Sequence, residues 1–580
     1  IDGEAGQKQY DIQTALTEKG FTLNQDMLDL YSSEKVNGTY GRKNGHSLQP
    51  SFGTMYENPA AYNVGEAPES IYDEDVLKSA DDTVALVVIS RDSSEASDYN
   101  PNMTSANEED SYERPLALSD NEKAMIQLAK EHSTKVVVLL NTNNQVEIDE
   151  LKNDDEIGAI LWAGEPGANG FLGVADVISG EVNPSGHIAD TYAVNSTSAP
   201  AMVNYGVYLY TNNSQAGSDA ELTETNKADW YLVESEGIYT GYKYYETRYE
   251  DEVLGQGNAD TAEGATSGNA WDYAAEVSYP FGYGLSYTTF SQTLDGVEYD
   301  ETTDTYNVKV TVTNTGDVAG KSVAEVYAQT PYGDYEKENN VEKSAVQVVG
   351  FDKTDILAPG ASETLEIPVE RYLLASYDYT NAKGYILSEG DYYFAIGDDA
   401  HDALNNILAA KGAKGMTDAL GEKAEGNAEK AYSWNNAKLD TESYKMSRYS
   451  DMEVTNQFDD ANLNNLGTDT VTYLSRSDWE GTYPAEQVSV TATEDMMKTL
   501  NGDLYTEPED APSVDDFTQG VDAGINFVAM KDVDYDDDAT WDKFLDQLTV
   551  EEMAYILPDQ NGSVLDESIA MPSTYRGDDR

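Results

Sequence analysis

The hydrophobic pattern of the chain changes period once. Up to about residue 287, unbroken apolar runs alternate with segments of helical spacing. Thr83-Val-Ala-Leu-Val-Val-Ile-Ser90 is an apolar run between polar flanks, the pattern of a strand buried on both faces. Ser119 stands at a helix N-cap position, and Ala124, Met125, Leu128 and Ala129 follow at helical spacing. Val136–Leu140 and Ile157–Trp162 predict two more strands, and a Gly-rich loop then leads into a helix near Phe171–Ile178. Strand–helix–strand units of this length predict an α/β sandwich, a mostly parallel sheet with helices on both faces.

From Phe290 to about Gly397 the period is two. Tyr306-Asn-Val-Lys-Val-Thr-Val-Thr-Asn314 alternates, turn residues follow at Thr315-Gly316-Asp317, and Val323–Gln329 and Asp391–Gly397 read as further strands. Short strands without intervening helices predict an all-β sandwich. Residues 401–535 are polar and weakly patterned, and read as an irregular acidic connector. Trp541–Leu557 then predicts one amphipathic helix. Phe544, Leu545, Leu548, Met553, Ile556 and Leu557 share its face, and Thr549 starts its second half.

Composition narrows the chemistry. The chain has 580 residues, enough for several domains, and no apolar run long enough to cross a bilayer. Its 108 acidic residues against 35 basic ones leave a net charge of −73. A surface this negative repels phosphate backbones and anionic lipid, so nucleic acid is not expected as a partner, nor is membrane insertion in this segment. There is no Cys, which excludes disulfides and thiolate metal sites, and the four His are scattered. Asp532-Val-Asp-Tyr-Asp-Asp-Asp538 imitates a calcium loop. However, Asp537 stands where such a loop needs Gly, and Lys543 where it needs Glu. Gly164, Gly167 and Gly170 have the spacing G-x-x-G-x-x-G, not that of a dinucleotide loop, and read as packing glycines. No cofactor and no metal are expected.

One loop concentrates carboxylates. Val87-Val-Ile-Ser-Arg-Asp-Ser-Ser-Glu-Ala-Ser-Asp98 leaves the first apolar strand, and open parallel sheets place ligand groups at such strand ends. This segment resembles the strand and acid-bearing loop of glycoside hydrolase family 3. Ser94 stands where that family usually has Gly. The resemblance extends to Leu161-Trp-Ala-Gly-Glu-Pro-Gly-Ala-Asn-Gly170, Asp176–Gly186, Glu236–Glu246 and Tyr279-Pro-Phe-Gly-Tyr-Gly-Leu-Ser-Tyr-Thr-Thr-Phe290, the last like the junction to a fibronectin III-like module. It implies that Glu95 is the general acid/base of a retaining exo-β-glycosidase, most often a β-glucosidase. Arg91, Asp92 and Asp98 become candidate contacts to an oligosaccharide or aryl β-glycoside substrate.

The resemblance also orders the domains. Residues 1–287 would be the family's α/β sandwich, N-terminally incomplete. Residues 288–400 would be the fibronectin III-like domain, 401–535 the connector, and 536–580 the start of a truncated (β/α)8 barrel. The nucleophile would then lie outside the chain, in the missing barrel, and this chain alone would be inactive. Ser477-Asp478-Trp479 matches a common nucleophile motif of the family, but nothing between 400 and 480 reads as a barrel strand, so it is expected to be a turn. The competing expectation is a non-catalytic carbohydrate-binding or cell-surface scaffold protein. An acidic, Cys-free modular chain suits an extracellular or cell-surface location, with the cytoplasm as the alternative.

Overall fold

The computed structural model describes residues 9–37, 39–40, 66–91, 110–206, 208–212, 230–450, 452–467, 471–485, 489–493, 496, 508 and 510–556. The chain divides into two compact units, Ile1–Met497 and Lys498–Arg580.

The first unit begins with helix α1 (Ile12–Glu18). Strand β1 (Val84–Ser90), helix α2 (Asp120–His132), strand β2 (Lys135–Asn141), strand β3 (Ile157–Trp162) and helix α3 (Gly170–Ser179) follow in order. β1, β2 and β3 form a parallel sheet in that order, with Val84 opposite Lys135 and Val138 opposite Ile160. Val87 and Ile89 point to one face, where they pack with Leu118 and with Ile126 of α2. Leu86 points to the other, against α1 and α3 through Leu16 and Ala175. Helices therefore cover both faces, as the pattern predicts. The reading of β1 as buried on both faces needs correction, because Val84 is 61% and Val88 39% exposed. β2 is the strand whose run is buried nearly throughout.

The sandwich pairs two antiparallel sheets. One contains β4 (Phe290–Asp300), β5 (Thr305–Asn314) and β8 (Ser362–Glu370), with β5 in the middle. The other contains β6 (Val323–Gln329), β7 (Gln347–Lys353), β9 (Gly390–Gly397) and β10 (Ala431–Asn436), in the order β7-β6-β9-β10. Val308, Val310 and Val312 of β5 meet Val326 of β6 and Phe394 and Ile396 of β9 in a buried core. The inward residues sit at alternate positions, which is the period-two signal made physical.

The expected boundary at residue 400 moves. β10 lies beyond it and completes the second sheet, and strand Asp440–Tyr444 pairs with Gly384–Leu387. Helix α5 (Ala400–Ala410) also lies beyond it, capped by Asp399. Its Ala403, Leu404, Ile407 and Leu408 enter a core shared with helix α4 (Tyr242–Leu254), through Tyr245 and Tyr249. The first part of the expected connector is thus sandwich and packing helix. Its polar exposed faces diluted the apolar signal.

In the second unit, the expected helix from Trp541 is two helices, α6 (Asp538–Leu545) and α7 (Val550–Ile556). Thr549 breaks them apart, because its hydroxyl accepts from the Glu552 backbone N–H while the Glu552 carboxylate accepts from the Thr549 backbone N–H. Phe544 and Leu548 are buried with Met530 in a small core of this unit. The calcium-like acidic stretch has a structural use, since Asp537 caps α6 by accepting from the Thr540 N–H.

Candidate active site

The C-terminal edge of the parallel sheet is organised by side chains that bond across strand ends. Asn141 donates from Nδ2 to the Gly164 carbonyl at 2.7 Å. Trp162 donates from Nε1 to the Thr142 carbonyl at 2.8 Å while 45% of it stays exposed. Gly164 and Gly167 have φ of +63° and +61°, conformations that other residues rarely adopt, so these two of the expected packing glycines are turn glycines, whereas a Cβ at Gly170 would lie 2.8 Å from Pro166, the close approach of a packing glycine.

Arg91 follows β1 directly, and its side chain is 1% exposed. Its guanidinium makes a fork with Glu122: Nη1 donates to Oε1 at 2.6 Å and Nη2 to Oε2 at 2.9 Å. Nη2 also donates to the Ala117 carbonyl and Nη1 to the Ser90 carbonyl, each at 2.9 Å. Both terminal nitrogens of this candidate substrate contact are therefore engaged inside the protein. Glu95, Asp92 and Asp98 lie outside the described residues.

Asp110 Oδ1 accepts from the backbone N–H groups of Asn121 and Ser111, both at 3.0 Å. Burial pushes its carboxyl above the usual carboxylate range, while the Asn121 N–H bond pulls the other way. Ser119, Asp120, Asn121 and Glu122 are the N-cap and first turn of α2. Ser119 accepts from the Glu122 N–H at 3.1 Å, and Glu122 accepts from the Ser119 N–H at 2.8 Å. The residues on either side of 92–109 are thus held by one helix start. Sequence reading found the Ser119 cap but missed Glu122, although Ser119-Asp-Asn-Glu122 has the capping-box spacing.

The second carboxylate motif is different. Asp478 accepts from the Gly481 N–H at 3.1 Å and from Nδ2 of Asn258 at 2.9 Å. Trp479 is fully buried, edge-on to Tyr239 and Tyr244, and donates from Nε1 to Asp251 at 2.9 Å. Its backbone N–H donates to the Gly257 carbonyl at 2.7 Å. A Cβ at Gly257 would lie 2.2 Å from the Arg476 carbonyl oxygen, so this close approach requires glycine. Tyr483 donates to the Ser198 carbonyl at 2.6 Å. Asp478 belongs to a turn sealed against the α/β region, as the sequence predicts.

Arg476, just before that turn, closes a buried ionic cluster. It donates to Glu250 at 2.9 Å and to Asp251 at 2.5 Å, and Lys411 reaches Glu250 at 2.7 Å. Burial would raise the Glu250 carboxyl, but the Lys411 and Arg476 charges outweigh it and hold it near 2. A second buried pair joins His401 of α5 to Glu246 of α4 at 2.9 Å, with the imidazole stacked on Tyr273. Among the described residues no group of three or more His, Asp or Glu could hold a metal ion.

Comparison with known proteins agrees with this architecture. Residues 11–287 match the glycosyl hydrolase family 3 C-terminal domain, and residues 322–400 match a fibronectin type III-like domain. Beta-glucosidase A of Butyrivibrio fibrisolvens is 30% identical over 301 residues, which are 49% of this chain and 30% of that protein. A beta-glucosidase of Ruminococcus albus is 28% identical over 401 residues, 68% of this chain and 34% of that protein. The solved structure of a beta-glucosidase from Paenibacillus barengoltzii aligns with a TM-score of 0.51 at 25% identity, covering 74% of this chain and 38% of that one. The chain spans about a third of the length of the curated relatives it matches. Both domain matches fall where the parallel sheet and the β-sandwich lie, in the same order along the sequence, and the chain accordingly carries a glycosyl hydrolase family 3 C-terminal domain followed by a fibronectin type III-like domain.

Proposed function

We propose that this chain supplies the proton-transfer half of a retaining exo-β-glycosidase, specifically a β-glucosidase, with Glu95 as general acid and then general base. The observation that carries this reading is the position of Glu95 in the sequence, four residues past a buried Arg91 at the C-terminal end of a parallel strand. In the first step the Glu95 carboxyl gives its proton to the glycosidic oxygen as a second carboxylate attacks the anomeric carbon and the leaving alcohol departs. In the second, ionised Glu95 takes a proton from water, which displaces that carboxylate and restores the starting enzyme. We assign the second carboxylate to a (β/α)8 barrel of the same protein. Asp478 uses Oδ1 to cap the local turn at Gly481 and to hold the distant Asn258, which disfavours it as the nucleophile. The similar proteins named beta-glucosidases support a terminal β-linked glucose as substrate.

The test is stereochemical. In the complete product of the gene, NMR of the first sugar released from an aryl β-glucoside should show the β anomer. Glu95→Ala should be accelerated by azide and form the β-glucosyl azide, because azide needs no general base. Release of the α anomer, or azide that leaves Glu95→Ala unchanged, would remove Glu95 from this role.

A further inference from the structure

We propose that one proton, held on the His401 imidazole of α5, locks the joint between the α/β region and the β-sandwich, and that the joint loosens as pH rises. Helix α5 belongs to the sandwich side. It follows β9 directly, and Asn406 donates from Nδ2 to the Ile396 carbonyl of that strand at 2.9 Å. Helix α4 belongs to the α/β side, within the family 3 C-terminal match. Between the two helices His401 is buried, with Nδ1 2.9 Å from Glu246 Oε2 and Nε2 3.0 Å from the Thr417 carbonyl. That carbonyl also accepts from Asn405 Nδ2 at 2.8 Å and from the Tyr249 hydroxyl at 2.9 Å. One ring therefore ties α4, α5 and the chain at Thr417 together.

The bonding pattern assigns the protons. A carbonyl can only accept, so Nε2 carries one. The other Glu246 oxygen, Oε1, accepts from the buried Tyr273 hydroxyl, and an ionised Glu246 draws the second proton onto Nδ1. The titratable groups around the ring are Glu246 and Tyr249 of α4, Tyr273 stacked on it, and Asp399 at the cap of α5, with Asp402 beyond. Asp418, beside Thr417, accepts from the Leu420 and Glu422 N–H groups of its own turn. Burial works against the imidazolium, but Glu246, with Asp399 and the Thr417 carbonyl behind it, outweighs burial and holds the ring above its ordinary value of 6.5. The pair's contribution is thus full below about pH 6.5 and is lost as pH rises through the raised value. Once the proton leaves, the Nδ1 lone pair faces a buried carboxylate, and both helices share the penalty.

The experiment compares urea unfolding of the 580-residue chain with that of the double variant His401→Gln/Glu246→Gln, from pH 6 to pH 8. Removing both charges leaves the field at Asp399 nearly balanced, because His401 and Glu246 act on that carboxyl with opposite sign. Relative to the double variant, the parent's unfolding constant should rise about tenfold over these two pH units. A rise below about threefold, or a fall, would overturn the proposal. If the double variant does not fold, NMR of the ¹³C-labelled histidine rings decides. The chain has four His, and replacing His46, His132 and His187 one at a time by Gln identifies the His401 signal by elimination. That ring should be mainly doubly protonated at about pH 7.5, one unit above the ordinary value, and a mainly neutral ring there would overturn the proposal.

Discussion

Two carboxylate-bearing segments invite comparison, because short motifs make both look catalytic. The segment after β1 carries Glu95, and the described residues on either side of it are anchored at the start of α2. The turn at Ser477-Asp478-Trp479 spends its carboxylate on the Gly481 amide and on Asn258, and its indole on Asp251. The difference teaches that a motif is judged by what its polar atoms already bond. Both bonds to the Asp478 carboxylate fall on one oxygen, Oδ1, and they tie it to the turn and to Asn258 rather than present it to a reacting carbon.

The largest effect expected on the structural side is at Arg476. Arg476→Met leaves the Glu250 and Asp251 carboxylates buried without their fork, and should cost about 3–5 kcal/mol in chemical denaturation. A loss below about 1 kcal/mol would show that the turn is not fastened through this cluster. Acid should loosen the same cluster. The Glu250 carboxyl is held near 2 against an ordinary value of 4.5, so it stabilises the fold fully above about pH 4.5 and progressively less as pH falls toward 2. That difference corresponds to about 3 kcal/mol at its limit. Urea unfolding followed from pH 6 to pH 3 should therefore show a decline that is shallower in Glu250→Gln, and identical slopes would contradict it. Glu66, whose backbone carbonyl accepts from Nδ2 of Asn121 at 2.9 Å, has the opposite sign: burial raises its carboxyl to about 7, so its ionisation works against the fold between about pH 4.5 and 7. Glu66→Gln should remove that part of the decline with rising pH in melting temperature. The smallest effect is at Asp478. Asp478→Asn should cost about 1 kcal/mol and leave kcat nearly intact.

The comparison also marks what the sequence made legible. Strands β1–β3 and the sandwich strands β5, β6 and β9 were readable because burial writes its period directly into apolar positions. β10 was not, because Tyr432 and Trp434 alternate with polar residues on a half-exposed edge strand. The two-helix form of 538–556 hinged on Thr549 and Glu552, a capping box inside an uninterrupted apolar stripe. At the candidate site, the strand end and the carboxylate loop could be read from order and resemblance. The Arg91–Glu122 fork could not, since the two residues are 31 apart and only the fold brings them together. The same holds for Arg476, which is 225 residues from Asp251.

The most direct test of the central claim is a leaving-group series. Glu95→Gln, Asp478→Asn and the parent enzyme should be assayed on aryl β-glucosides whose phenols span a wide range of acidity. Glu95→Gln should fall further behind the parent as the phenol becomes less acidic, reaching about 10²–10⁴-fold on the poorest leaving group, because only those oxygens need a proton. Asp478→Asn should run parallel to the parent throughout. A Glu95→Gln line parallel to the parent would contradict the account. So would a thousandfold fall in kcat for Asp478→Asn (~4 kcal/mol on the barrier) at an unchanged melting temperature.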